Sequence, residues 1–169
     1  AGTEFVEDYG LYDDPDAINP LLEYERQASY RRLGGREPIG MYAHFRTYPK
    51  VHEHGAWFDY RSVLTNIAAR VVENVTGRRF VDALSEEIWA PLGMEFEADM
   101  MLDVVGDAVV DGGLSCAARD LARFGQAYLD DGAGVIPAAW VHDTIHGDDD
   151  AMRCFRESPT VTAEERKGW

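Results

Sequence analysis

Residues 57–62, which read WFDYRS, lead directly into a predicted helix that ends at Gly77. At helical spacing this helix has an apolar side and a polar side, and such a helix packs its apolar side on a core. Packing would fix the start of the helix, and with it Tyr60, whose hydroxyl would point out of an aromatic wall formed with Trp57 and Phe58. The apolar side is predicted to hold Val63, Leu64, Ile67, Ala68, Val71, Val72 and Val75, and the polar side Thr65, Asn66, Arg70, Glu73 and Asn74.

Length and charge narrow the classes of partner. The 169 residues suffice for one domain with a sizeable core, or for a large part of a bigger one. A net charge of -15 argues against nucleic acid and anionic membrane surfaces, because their phosphates would be repelled. No apolar run is long enough to span a membrane, and no signal peptide is recognisable. Small-molecule substrates therefore remain the expected partners.

The chain ends and the cysteines add two expectations. The sequence opens on Ala1 rather than methionine, and we expect it to be an internal part of a longer polypeptide. Cys116 and Cys154 form neither a disulfide framework nor a Cys-x-x-Cys metal site. This pattern leans toward a reducing compartment such as the cytoplasm without deciding the location.

Helices dominate the remaining pattern. Asn19 is a predicted N-cap ahead of Pro20, and that helix would end at the two arginines 31 and 32. The apolar residues of this helix are Leu21, Leu22, Tyr24 and Ala28, and those predicted to face inward in the next helix are Ile39, Tyr42 and Phe45. Ser115 is a plausible cap for a later helix, after a turn forced by two glycines. The segments predicted are a loop over 1–18, helices over 20–32, 38–46, 62–77, 80–89, 115–129 and 137–145, a stretch over 95–110 whose periodicity is undecided, and a polar tail.

Three possible binding motifs have simpler explanations. His52 and His54 would share one side of an extended strand and could bind zinc, but Gly55 favours a loop with solvated histidines. The acidic run 148–150 lacks the glycine and glutamate of a calcium loop and is predicted to be a surface turn. The glycine pair before Leu114 lacks the lysine of a phosphate-binding loop. No metal is therefore predicted.

Several motifs occur in an order and spacing that resemble the serine hydrolases of the class C β-lactamase and penicillin-binding superfamily. Within it, the chain is most similar to the branch of 6-aminohexanoate-dimer hydrolases and carboxylesterases, from about Tyr9 to Trp140. Each motif is weak alone, and their order makes the resemblance specific. The motifs are FDYRS at 58–62, TGR at 76–78, IWAPLGM at 88–94, DGGLS at 111–115 and RDLARFG at 119–125.

The resemblance implies a fold, a reaction and a set of site residues. The fold would be the α/β (α+β) β-lactamase/transpeptidase-like fold, with this portion mainly its helical subdomain. Tyr60 matches the tyrosine that relays a proton to the leaving group, and Ser62 matches the third position of Tyr-x-Asn or Tyr-x-Ser. Tyr9 would lie in a substrate loop, and Gly112 and Gly113 would shape the wall of the cleft. Linear amides or simple esters fit Ser62 better than β-lactams, and no cofactor is implied.

The chain also departs from the family pattern. No serine is followed three residues later by lysine, and no Lys-Thr-Gly or His-x-Gly follows the helix after the DGGLS motif at 111–115. Residues 1–169 would thus be a partial domain that lacks the N-terminal Ser-x-x-Lys part and the C-terminal sheet strands, and would be inactive alone. Helical faces without their sheet predict self-association, with a homodimer as one form. The alternative is a non-catalytic binding or scaffold member of the same fold.

Overall fold

The computed structural model describes residues 2–5, 7, 9–10, 13–14 and 18–168, and this part of the chain is mainly helical. None of its helices is long and apolar enough to cross a membrane. Pro15 and Asp16 of the predicted N-terminal loop lie outside the described residues. The helices are α1 Pro20–Gln27, α2 Met41–Phe45, α3 Val63–Thr76, α4 Phe80–Leu84, α5 Ala118–Leu129, α6 Ala138–His146 and α7 Asp149–Glu157, with a π-helical turn Ser85–Trp89 and a 3₁₀ turn Glu165–Gly168.

Two short strands, β1 Asp99–Met100 and β2 Leu114–Ser115, pair with each other by hydrogen bonds.

The chain divides into two compact units, and each has its own packing. The first unit consists of Ala1–Ala56, Tyr60–Val71 and Met100–Leu114. The second unit consists of Trp57–Asp59, Val72–Asp99 and Ser115–Trp169.

The predicted start of helix α1, the first helix of the first unit, is confirmed. The Asn19 side chain accepts a hydrogen bond from the Leu22 N–H at 2.8 Å, and Pro20 occupies the first turn. The helix ends at Gln27, earlier than the predicted end at residues 31–32, because Ser29 has a left-handed φ of 68°. The four apolar side chains of this segment, Leu21, Leu22, Tyr24 and Ala28, are all buried.

An aromatic cluster forms the core of the first unit. Phe5 is fully buried and meets the Tyr24 and Tyr48 rings edge-on, at centroid distances of 5.8 and 5.5 Å. Met41 of α2 joins this core, whereas Ile39, predicted to face inward, is 39% exposed. The core residues are Phe5, Leu21, Tyr24, Ala28, Met41, Val63 and Val109.

Helix α3 exists as predicted, but the prediction of its buried side is partly wrong. Asn66, placed on the polar side, is completely buried, whereas Val71 and Val75 are 54% and 81% exposed. A polar side chain tolerates burial when all its groups are hydrogen-bonded, and those of Asn66 are. Sequence periodicity reports only the polarity of a side chain and does not reveal its hydrogen-bond partners.

The second unit has a small core and one buried acid. Ala127, Ile136 and Val141 are buried, and Ile88, Leu92, Phe124 and Tyr128 pack against them. The carboxylate of Asp120 accepts hydrogen bonds from the Glu95 and Phe96 N–H groups at 2.9 and 3.0 Å and from Arg123 at 2.7 Å. These hydrogen bonds lower the pKa of Asp120, and the bond from the Glu95 N–H has the largest effect. They also fix the loop ahead of β1 to helix α5.

The second unit also corrects two predictions of helix starts. Ser115 lies in β2, and α5 begins after Ala117, which provides no side-chain cap. Asp148, predicted to lie in a surface turn of the polar tail, instead caps helix α7 and accepts a hydrogen bond from the Ala151 N–H at 2.7 Å. An aspartate before a helical segment is a common N-cap, so the sequence carried a signal for α7.

Candidate active site

A pocket in the first unit contains two of the residues predicted to bind substrate, Tyr9 and Ser62. Its other lining residues come from α1, from the turn after α1 and from the loop before Gly112. Three of the lining side chains are tyrosines and two are acids, so the pocket combines aromatic surface with carboxylates. The lining residues are Tyr9, Leu21, Tyr24, Glu25, Tyr30, Ser62 and Asp111.

The Ser62 end of the pocket is held by the N-terminal segment. The Glu7 carboxylate accepts a hydrogen bond from the Ser62 N–H with one oxygen, and from the Tyr9 hydroxyl at 3.1 Å with the other. The largely buried Arg61 donates to the Thr3 carbonyl oxygen at 2.5 Å and to its hydroxyl at 2.9 Å. These bonds fix the start of α3, which follows directly.

Glu7 also contributes to the raised pKa of Tyr9. Burial raises the pKa of the Tyr9 phenol to about 12, and the charge of Glu7 and its hydrogen bond contribute next, followed by Tyr60. The variant Glu7→Gln removes the charge but keeps an oxygen for the Ser62 N–H. We expect the pKa of Tyr9 to fall from about 12 toward its ordinary value of 10.0, because the phenolate no longer faces a carboxylate.

Ultraviolet titration of phenolate absorbance measures this change, and a parallel titration of Tyr9→Phe assigns the signal. Glu53→Gln is the matched control, since Glu53 is an exposed acid that pairs with Lys50. A Tyr9 titration that is the same in Glu7→Gln as in the unaltered chain would show that the carboxylate does not act on the phenol.

Tyr60, the predicted catalytic residue, lies immediately before Arg61 and Ser62, which the N-terminal segment holds by hydrogen bonds. Its side chain is 68% exposed, so its hydroxyl is accessible to a substrate. It is close enough to Tyr9 to contribute to the raised pKa of that phenol. Phe58, predicted to belong to the aromatic wall, packs against Phe155 in the second unit with ring centroids 5.3 Å apart.

Asp111 forms a rigid acceptor in the pocket. The Tyr24 hydroxyl donates to one carboxylate oxygen at 3.1 Å, and the Tyr30 hydroxyl donates to the other at 2.9 Å. Burial and, next, the charge of Asp111 raise the pKa of Tyr24 well above its ordinary value. Tyr24 therefore stays protonated at neutral pH and remains a hydrogen-bond donor.

Asn66 lies behind this group and connects three segments. Its amide oxygen accepts hydrogen bonds from the Val110 N–H at 2.5 Å and the Asp111 N–H at 3.3 Å, and its amide nitrogen donates to the Tyr24 hydroxyl. Its own carbonyl accepts a bond from Tyr42 at 2.9 Å. Asn66 thus holds α1, α2 and the Asp111 loop on α3.

The two predicted cleft glycines have different surroundings. A Cβ on Gly112 would lie 2.8 Å from the hydroxyl of Tyr30, which lines the pocket. A Cβ on Gly113 would lie 2.1 Å from the carbonyl oxygen of Val109 and 3.0 Å from the Met101 Cβ, so Gly113 is required by close packing. Gly112 borders the pocket through Tyr30, and neither glycine is among the lining residues.

The structure therefore brings Tyr9 and Ser62 together and adds residues that the sequence prediction missed. Tyr24 was assigned to the core alone, and Tyr30, Glu25 and Asp111 were assigned no role. Asp111 directly precedes the glycine motif, and that position was the one available signal. Glu25 pairs with Arg31 at 2.6 Å, so a cation already neutralises one of the two pocket acids.

Among the described residues, no group of three or more His, Cys, Asp or Glu side chains is arranged to hold a metal ion. His54, one of the histidines considered for zinc, has its Nδ1 3.0 Å from the Gly2 backbone nitrogen and accepts a hydrogen bond from it. His52 has its Nδ1 3.0 Å from the carbonyl oxygen of Glu53. Each of these two histidines thus has a backbone partner, which is distant in the sequence for His54 and adjacent for His52.

The sequence of the chain matches the model of a known protein family. The family model described as Beta-lactamase matches residues 14–169, which is most of the chain. The chain belongs to the β-lactamase family. The match contains Tyr60, Ser62, Gly112 and Gly113, whereas Tyr9 lies before its first residue.

Individual relatives agree with this assignment. The 6-aminohexanoate-dimer hydrolase of Paenarthrobacter ureafaciens is 35% identical over 139 residues, which cover 78% of this chain and 35% of the relative. A solved structure from Bacillus anthracis, provisionally named a 6-aminohexanoate-dimer hydrolase, is 23% identical to this chain and superposes with a TM-score of 0.73. The superposed part is 90% of this chain and 40% of the chain in that structure. The solved structure supports the β-lactamase-like fold. The chain spans about a third of the length of the curated relative.

Proposed function

We propose that this chain is the part of a β-lactamase-family serine hydrolase that supplies the proton-relay tyrosine and one wall of the substrate cleft. The proposed substrates are small molecules with a linear amide or ester bond. The observation that carries the proposal is the pocket that joins Tyr9 and Ser62 beside the exposed Tyr60, in a chain of this family. The 6-aminohexanoate-dimer hydrolase at 35% identity supports the choice of linear amides.

The proposed reaction proceeds through an acyl-enzyme. A serine in a Ser-x-x-Lys segment outside these 169 residues attacks the carbonyl carbon, and the lysine takes its proton. The Tyr60 hydroxyl then delivers its proton to the leaving nitrogen or oxygen as the bond to carbon breaks, and it receives in exchange the proton that the lysine took from the serine. Water releases the acid and restores the serine. The same lysine would provide the positive charge that a tyrosine needs to exchange protons at neutral pH.

Within this site, Ser62 and the carboxylate of Asp111 offer polar contacts to the substrate, while Tyr9 and Tyr30 offer aromatic surface. A serine at position 62 is too short to hold an acylamino carbonyl as an asparagine would. The pocket therefore suits an extended substrate better than a β-lactam. We also propose a location in the cytoplasm and assembly as a homodimer.

A hydrolysis assay tests the proposal. We expect the 169-residue chain to leave p-nitrophenyl esters and linear amides intact, and a polypeptide that also carries Ser-x-x-Lys to cleave them. The reason is that none of the five serines has a lysine three residues on. Turnover by the 169-residue chain itself would contradict the proposed mechanism.

The same sequence observation favours a second candidate, a non-catalytic binding or scaffold member of the family. The two candidates share every residue of the pocket and differ in the nucleophile. If the natural polypeptide contains no Ser-x-x-Lys and binds a small amide or ester without cleaving it, the second candidate is correct. Calorimetric titration with the uncleaved substrate distinguishes binding from no interaction.

A further inference from the structure

Helix α6 of the second unit carries two histidines that lie about one turn apart. His142 and His146 are four positions apart, so their side chains lie on the same side of the helix. Their ring centroids are 4.7 Å apart, and the ring planes are inclined by 52°. Both residues are exposed, so solvent and its solutes reach the rings. Neither histidine lines the pocket of the first unit, and the pair therefore needs an explanation of its own.

The backbone of α6 holds the two imidazoles in register. Val141, next to His142, is only 3% exposed and belongs to the core of the second unit. The Gly147 N–H donates to the Asp143 carbonyl oxygen at 2.8 Å, which completes the last turn around His146. Because the folded helix already brings the rings together, a shared ligand does not have to order them, and such preorganisation favours binding.

The spacing of the pair suits a metal ion. A neutral imidazole nitrogen is a good ligand for Cu²⁺, Ni²⁺ and Zn²⁺. Two nitrogens that share one ion at about 2.0–2.1 Å lie roughly 3 Å from each other. Rotation of the exposed rings can reach that separation from centroids 4.7 Å apart. Residues 142–146 read HDTIH, and two histidines at this spacing on a helix bind zinc in the His-Glu-x-x-His motif.

The local charge also favours a cation at the pair. A carboxylate oxygen of Asp143 lies 3.7 Å from Nδ1 of His142. His146 lies in the last turn of α6, where the helix dipole attracts positive charge. The chain as a whole has a net charge of -15. A divalent ion would therefore gain from this negative field in addition to its bonds to the two nitrogens.

We propose that His142 and His146 form a two-histidine site for a divalent first-row metal ion, namely Cu²⁺, Ni²⁺ or Zn²⁺. In the part of the chain that the structure describes, no three His, Cys, Asp or Glu side chains are grouped to hold a metal, so water fills the other coordination positions. Cu²⁺ should bind more tightly than Ni²⁺ or Zn²⁺, as it generally does at nitrogen ligands. The site goes beyond the proposed hydrolase function and depends on neither Tyr60 nor a Ser-x-x-Lys segment.

Calorimetric titration with Ni²⁺ tests the site in protein that carries no affinity tag. Ni²⁺ is the probe because cysteine thiols do not reduce it, whereas they can reduce Cu²⁺. We expect one ion to bind per chain. His142→Asn and His146→Asn should each weaken binding by at least about tenfold, because the second imidazole of a chelate binds intramolecularly. Combining the two substitutions should add little, since either one already destroys the chelate.

Two control variants separate the geometry of the pair from the number of histidines. Thr144→His/His146→Asn keeps five histidines but places the second imidazole two positions from His142, where it does not face the first. This variant should bind Ni²⁺ as weakly as His146→Asn alone. His52→Asn/His54→Asn removes the other two histidines that are close in sequence and should leave the affinity unchanged.

Four results would overturn the proposal. The unaltered chain could fail to bind Ni²⁺, or it could bind two ions weakly and lose one of them with each histidine of α6, which would mean two independent imidazoles. Full affinity in Thr144→His/His146→Asn would show that the helical spacing is not required. Binding that is lost in His52→Asn/His54→Asn and kept in the α6 variants would place the metal on the N-terminal side of the chain.

Discussion

Replacing Tyr60 with phenylalanine in the polypeptide that carries Ser-x-x-Lys is expected to lower kcat by about 10²–10⁴-fold, the usual contribution of a positioned acid or base. The ring that forms the exposed surface before α3 is retained, so KM should change little. The loss should depend on the leaving group. An amine must be protonated as it leaves, whereas p-nitrophenolate leaves unprotonated, so amide hydrolysis should lose more than hydrolysis of the activated ester.

Steady-state kinetics on a linear amide and a p-nitrophenyl ester measure this difference. Tyr128→Phe is the matched control, because it also removes a tyrosine hydroxyl but lies in the second unit against Phe124. An equal loss on both substrates would indicate a positional defect and would argue against Tyr60 as the proton donor. Full activity on the amide would exclude Tyr60 from the reaction.

Local patterns predicted most of the secondary structure. The capped start of α1, the span of α3 and the helix at 137–145 all follow from the residues within a few positions of each element. The resemblance to the family was likewise predicted from motifs whose order along the chain is itself the evidence. The one missed helix, α7, has a cap that is visible in the sequence.

The pocket was harder to predict, because its contacts join residues that are far apart in the chain. Asp111 receives its hydrogen bonds from Tyr24 and Tyr30, which precede it by 87 and 81 positions. No periodicity within a helix contains that information. Tyr24 is buried and hydrogen-bonded at once, so an apolar pattern identified its ring and missed its hydroxyl.

Exposed apolar side chains on α3 and α5 show a second limit of prediction from sequence periodicity. Sequence periodicity marks a side chain such as Val75 or Leu129 as one that needs cover, and the described structure leaves both exposed. The pattern records that these side chains are apolar and says nothing about which surface covers them.

Asn66→Ala is expected to destabilise the first unit by about 3–4 kcal/mol, a loss typical of a broken buried hydrogen-bond network. The substitution leaves the Val110 and Asp111 N–H groups without their acceptor, and the Tyr24 hydroxyl without its donor. Each such group costs about 1–3 kcal/mol when it is buried and unpaired. Urea unfolding of the 169-residue chain measures the change in the free energy of unfolding.

Asn74→Ala is the matched control on the same helix, because Asn74 is exposed. It should change the free energy of unfolding by less than about 0.5 kcal/mol. Asn66→Asp separates the network from simple packing, since it keeps an acceptor for both N–H groups but places a charge near Asp111. Burial and the neighbouring carboxylate would raise the pKa of the new acid, so this variant should be closer to the unaltered chain in stability at acidic pH than at neutral pH. A loss below about 1 kcal/mol in Asn66→Ala would mean that the loop before Gly112 holds its place without Asn66, and the pocket would then owe its shape to the tyrosines alone.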